Sequence, residues 1–347
     1  MSPHREKLVP QMLQYDDFDD RAETNWVPYL MYFQRADYRS DVVNTDRLGF
    51  RVSHGLHDHA SAGGRLPEGP VRLLAGSSTA FGIGATTDAA TLPSRLWSRY
   101  APAAPWLNFA GRSHNSAQEL ILYLLYRDLL PPVEHIVIFS GLNDIALAQL
   151  PAQQRGQHGA FFFCGEYFEQ MDALRAKYRT ERKQPSYFGR RGDRRAQPAA
   201  AAKAPAPKPP LPELIEIATG LTGRHLEGWR LLAPAARITF VLQPLANWWQ
   251  ERPNDQEQLL FDELEVISKA GPFSKNYATI ATHDAGRRYA EALAAVCSKA
   301  GVEFLDINPL VSRAADPGDW LYVDRAHFND QGHDLAARLL AEALDLR

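Results

Sequence analysis

The chain has 347 residues, 45% of them hydrophobic, enough for one large domain or for a domain with additions. Its 38 Lys and Arg against 41 Asp and Glu leave a formal net charge of -3, without the basic surplus expected of a nucleic-acid protein. Two distant cysteines, Cys164 and Cys297, form neither a metal-ligand spacing nor a disulfide framework, and no run is long and apolar enough to span a bilayer.

Taken in order, Met1–Asp20 carries Arg5 and Lys7 but no apolar core, and turns acidic at Asp16, Asp17, Asp19 and Asp20. This is not the pattern of a secretory signal, so a cytoplasmic protein is expected. Residues 1–70 lack strong periodicity and read as an ancillary segment. Trp26, Tyr29, Tyr32, Phe33 and Tyr38 form an aromatic cluster within it, and Val42–Val52 reads as a hairpin around polar turn residues. His54, His57 and His59 lie near Asp58, but the adjoining Ala-Ser-Ala-Gly-Gly signals a loop, and no metal site is expected.

From Val71 strands and helices alternate. Strands are expected at Val71–Ala75, Pro105–Phe109 and His135–Phe139, with helices at Ala89–Tyr100 and Ser116–Leu130. That rhythm implies βαβ units and a parallel sheet. It is broken by an insertion over 151–234. The insertion opens with Phe161-Phe162-Phe163 and Tyr167-Phe168, aromatic enough for a lid. A basic run from Arg175 to Arg195 follows, and then the Ala/Pro/Lys-rich Ala196–Pro212. The stretch 182–212 is expected to be disordered, because it has too little apolar surface to offset chain entropy. Order resumes with a helix over Glu213–Leu231, strand Arg237–Leu242, helix Ile280–Ala300, strand Val302–Leu305 and a closing helix over Asp334–Leu346. The core domain is thus 71–150 joined to 235–347.

Two stretches carry chemistry. Gly76-Ser77-Ser78 with Gly82 and Gly84 follows the first strand, at the sheet end where open α/β folds place ligands. The spacing is not that of a P-loop, a dinucleotide fingerprint or a Gly-x-Ser-x-Gly elbow. Asp324 and His327 lie three apart in the Trp320–Gly332 loop. There a carboxylate can accept from imidazole Nδ1 and leave Nε2 to act as base towards a serine. Taken singly, each has a plain alternative: a Gly/Ser turn, or a surface Asp-x-x-His with Asp330 capping the last helix.

With Gly141-Leu142-Asn143-Asp144 between them, the order resembles the SGNH branch of the GDSL hydrolases. Ser78, Asn143 and Asp324/His327 match the family's serine, Gly-x-Asn-Asp and Asp-x-x-His segments. The resemblance covers Val71–Ile145 and about Arg237–Arg347. It implies a flavodoxin-like three-layer α/β/α fold, with Ser78 as nucleophile, His327 as base and later acid, and Asp324 orienting His327. It also implies an oxyanion site from the Ser78 N–H, the Asn143 amide and a backbone N–H of the second block. Two departures stand out. Gly-Asp-Ser is Gly76-Ser77-Ser78 here, with the glycine spacing favouring Ser78 over Ser77. In Asn108–Asn115 the expected glycine position falls on Ser113 while the only glycine is Gly111, so either amide is a candidate third donor. Arg112, His114 and Asn115 would border the pocket or pack against the next helix, and Trp248 and Trp249 would line it or cap the core.

The resemblance implies acyl transfer through a serine ester without a cofactor. The first expectation is an esterase cleaving an O-acyl or O-acetyl group from a small polar or carbohydrate-like molecule in intracellular biosynthesis. The alternatives are an acyltransferase or thioesterase, whose basic insertion would dock an acidic acyl-carrier protein, and a non-catalytic binding module. No nucleic acid or membrane is expected as partner.

Overall fold

The computed structural model describes residues 3–181, 208–268, 271–316 and 318–347. Five parallel strands build the central sheet: β5 (Val71–Gly76), β6 (Trp106–Ala110), β7 (Val133–Ser140), β8 (Arg237–Leu242) and β9 (Glu303–Asp306). The four earlier strands are short: β1 (Asn25–Val27), β2 (Met31–Phe33), β3 (Ser53–His54) and β4 (His59–Ala60). The sheet order is β6-β5-β7-β8-β9, every pairing parallel. By sequence that is 2-1-3-4-5, the flavodoxin-like winding, whose crevice opens at the carboxyl end of the first strand.

Composition explains the layering. Val71, Leu73, Leu74 and Ala75 of β5 and Ile136–Phe139 of β7 are all buried, as parallel strands covered on both faces require. Helices Ser116–Tyr126, Leu211–Leu232 and His283–Ala300 pack together, and Asp330–Ala343 packs with Leu92–Arg95 and Leu96–Tyr100. Asn115 and Gln118 close a reciprocal cap on Ser116–Tyr126, which fixes where the second block ends. The expected helix Ala89–Tyr100 is broken into a turn at Asp88–Ala90, a short helix and a widened last turn.

The segment before the sheet is part of the same core. Val9, Met12, Tyr15, Phe18, Leu30 and Phe33 are buried in one apolar cluster with β5 and β7. Of the aromatic group, Trp26 and Tyr29 are exposed at the β1–β2 hairpin, whereas Tyr32 and Phe33 face inward. Val42–Val52 forms a compact turn with isolated bridges Arg39–Asn44 and Thr45–Arg51, not two full strands.

Within 151–234, helix Leu211–Leu232 buries Leu214, Ala218, Leu226 and Trp229 in the main core. Leu211 and Pro212, expected in a disordered stretch, form its first turn, where proline's missing N–H costs nothing. Helix Cys164–Glu181 buries Cys164 beside Leu147 and Ala160, and its residues from Glu166 to Arg179 are exposed or half-buried. The rest of the expected disorder, 182–207, lies outside the described residues.

Candidate active site

Ser78 opens a one-turn helix, Ser78–Phe81, directly after β5. The turn between them demands glycine. Gly76 has φ 145°, and a Cβ there would meet the Phe139 carbonyl oxygen at 2.1 Å. Gly84 makes the second close approach: with φ 96° it sits on the Phe328 carbonyl, again 2.1 Å from an added Cβ. The serine turn and the final loop are thereby pressed together, so residues at opposite ends of the chain share one site.

His327 Nε2 lies 2.7 Å from Ser78 Oγ, and His327 Nδ1 lies 2.7 Å from Asp324 Oδ2. Asp324 Oδ1 accepts the backbone N–H groups of Ala326 and His327, both at 2.8 Å. Burial alone would raise the Asp324 carboxyl. The His327 charge and hydrogen bond, with those two amides, outweigh it and hold the carboxyl below its ordinary value. An ionised Asp324 accepts the Nδ1 proton, leaving the Nε2 lone pair on the serine. Ser78 and His327 remain partly open to solvent.

Ser77 is not free for this role. It is buried, and its Oγ donates to Gln243 Oε1 at 3.0 Å, while Gln243 Nε2 donates to Thr79 Oγ1 at 3.0 Å. Gln243, at the end of β8, thus braces both neighbours of Ser78. Only its place beside Pro244 at a strand end hinted at this.

The candidate oxyanion donors differ in what else they bind. Gly111 N–H donates to Gly76 O at 3.0 Å, which occupies it. Ser113, at φ 58°, is half-exposed, and neither its N–H nor that of Ser78 has an acceptor among the described residues. Asn143 Nδ2 donates one hydrogen to His114 O at 2.6 Å, leaving the other available. Behind it, the buried Asp144 accepts the Ser116 N–H at 3.2 Å and the Ser116 hydroxyl at 2.5 Å. Burial pushes its carboxyl up to about 6.

The residues expected to contact substrate are committed elsewhere. The Arg112 guanidinium pairs with Asp19 and lies over the Phe18 ring, so it ties down the amino-terminal segment. His114 is fully buried, with Nε2 on Tyr32 O at 3.1 Å. Asn115 caps a helix and donates to Ala160 O at 2.6 Å. Trp248 is buried against Gly286 and donates to Ile280 O at 2.7 Å, capping the core. Trp249 stacks on Tyr322 and donates to its hydroxyl at 2.9 Å. Asp330 does not cap the closing helix; Asn329 does, and Asp330 accepts from the Thr86 N–H and hydroxyl.

A sequence model of the GDSL-like lipase/acylhydrolase family matches residues 74–335, spanning Ser78, Asn143, Asp324 and His327. The chain belongs to this family. No curated protein matches it. Among solved structures, this GDSL-family chain is similar to phospholipase A1 from Streptomyces albidoflavus NA297, at 13% identity over 79% of this chain and 98% of that one, TM-score 0.41. A lipase/acylhydrolase from Enterococcus faecalis aligns at 11% identity over 79% and 95%, TM-score 0.42. An extracellular lipase from Streptomyces rimosus aligns at 12% over 79% and 99%, TM-score 0.38.

Proposed function

We propose that this GDSL-family chain is a serine esterase that cleaves an O-acyl group from a small polar or carbohydrate-like molecule. The observation that carries the reading is the unbroken relay Ser78–His327–Asp324, with 2.7 Å at each link. Ser78 Oγ attacks the ester carbonyl as its proton passes to His327 Nε2. The resulting imidazolium is stabilised by Asp324, which remains ionised. The Ser78 N–H, the free Asn143 amide hydrogen and the Ser113 N–H receive the developing oxyanion. Each donor of this kind is worth roughly 2.7–4 kcal/mol of barrier. His327 then gives its proton to the leaving alkoxide, and the acyl-serine is cleared by water through the same steps in reverse.

The experiment is product analysis of acetyl, longer-chain acyl and thioester donors, with and without a hydroxyl acceptor. Free acid released at the same rate in both conditions supports the esterase. Acceptor acylation at the expense of hydrolysis makes the chain an acyltransferase, and absence of turnover on every donor favours a binding module.

A further inference from the structure

We infer that Tyr32, in the β1–β2 hairpin ahead of the family match, is a positioning residue for the oxyanion site; this rests on the serine-hydrolase reading above. The stretch Ala110–Gln118, which joins the second block to the first turn of the next helix, is bound by Leu30, Tyr32 and Gln34 through four hydrogen bonds. Tyr32 Oη donates to Ser113 O at 2.8 Å, and Tyr32 O receives His114 Nε2–H at 3.1 Å. Gln34 Nε2 donates to Ala110 O at 2.9 Å, and Gln118 Nε2 donates to Leu30 O at 3.0 Å. All four contacts fall on Leu30, Tyr32 and Gln34, and the family match begins only at residue 74.

Tyr32 is the member that reaches the reacting geometry. Ser113 has φ 58°, which an L residue adopts at a steric cost, so its neighbours must hold it there. The Tyr32 hydroxyl grips that residue's carbonyl while the Tyr32 carbonyl grips the next side chain. Two consequences follow. The Ser113 N–H keeps its aim, and the His114 carbonyl is fixed where it takes one hydrogen of the Asn143 amide at 2.6 Å. Because an amide group is planar, fixing one N–H fixes the direction of the other, which is the one left for the oxyanion. Tyr32 thereby acts on both donors without touching substrate. Its ring is buried edge-on to His114, so replacing it with phenylalanine removes the hydroxyl and keeps the packing.

The test is a double-mutant cycle on the full-length protein, using p-nitrophenyl acetate, with Tyr32→Phe, Asn143→Ala and the double variant. Tyr32→Phe is expected to lower kcat roughly tenfold, to leave KM within about twofold, and to weaken an alkyl boronic acid that mimics the tetrahedral adduct by the same factor as kcat. In the Asn143→Ala background the same change should cost less than about threefold, because one of its two targets is gone. Melting temperatures of all four proteins report any general loss of structure. An unchanged kcat in Tyr32→Phe, or equal fold-losses in both backgrounds, overturns the positioning role while an active wild type leaves the esterase reading intact. A wild type that neither hydrolyses the ester nor binds the boronate overturns the hydrolase reading, and this inference with it.

Discussion

His327 Nε2 and Ser78 Oγ are 2.7 Å apart, although 249 positions separate them in the chain. The parallel winding explains the meeting. Ser78 follows β5, the second strand in the sheet order, and the final loop returns over the carboxyl strand ends, pinned by Gly84 against the Phe328 carbonyl. His327→Ala should therefore lower kcat by roughly 10⁴-fold or more and leave the melting temperature near that of wild type, because the imidazole is a surface-reaching part of the relay. Steady-state kinetics with a thermal melt checks both halves.

Asp324→Asn should leave the fold intact and lower kcat by up to roughly 10⁴-fold, with activity still above the uncatalysed rate. The Ala326 and His327 amides can still bond to the asparagine oxygen, so the loop keeps its shape. What is lost is the acceptor that holds His327 Nδ1–H, and with it the tautomer. Residual hydrolysis that disappears on further removal of Asn143 is the expected signature, read from single-turnover rates.

A buried ion pair sits beneath the serine turn. Arg51 Nε is 2.7 Å from Asp88 Oδ1, and Arg51 Nη1 donates to the carbonyl of Gly82 at 2.9 Å and to the Tyr15 hydroxyl at 3.0 Å. Arg51→Met leaves the Asp88 carboxylate buried without its cation, which should cost about 3–5 kcal/mol of stability. Urea unfolding measures this. A change below about 1 kcal/mol would mean that the pair is not closed in solution.

Stability should fall as the solution is acidified from pH 7 towards 5. Burial holds His114, His135 and His225 down at about 4 and His333 at about 3, so the folded chain keeps all four neutral. The unfolded chain protonates them near 6.5, so unfolding takes up protons in this window. Four carboxyls act in the opposite sense: burial raises Asp144 to about 6, Glu119 well above its ordinary value, and Glu257 and Asp306 above theirs, so the folded chain holds their protons more tightly. The imidazoles titrate inside this window in the unfolded chain and outnumber the two carboxyls displaced furthest, Asp144 and Glu119, so unfolding takes up protons on balance and stability falls as the pH falls. Denaturant melts across that range should show the midpoint dropping, and a rise on acidification would contradict the assignment of the four histidines as neutral in the folded chain.

The sheet was readable because its strands are continuous apolar runs separated by helical patterns, a signal set locally by burial on both faces. The relay was readable because Asp324 and His327 are three residues apart and Ser78 stands among glycines that the backbone geometry requires. The partners of the residues around the second block were not readable. Arg112, His114, Asn115 and Trp248 are polar or amphipathic residues at a pocket-like position, yet each is engaged by a distant partner, such as Asp19, Tyr32, Ala160 or Ile280. No local pattern reports such partners. The same limit hid Tyr32 and Gln243, whose roles come from contacts with residues 81 and 166 positions away.

Intact mass after incubation with a fluorophosphonate, on wild type and Ser78→Ala in parallel, tests the central claim most directly. The account predicts one adduct on wild type and none on the variant, since an activated hydroxyl requires the His327 lone pair on Ser78 Oγ. An adduct on Ser78→Ala, or none on the wild type, would contradict it.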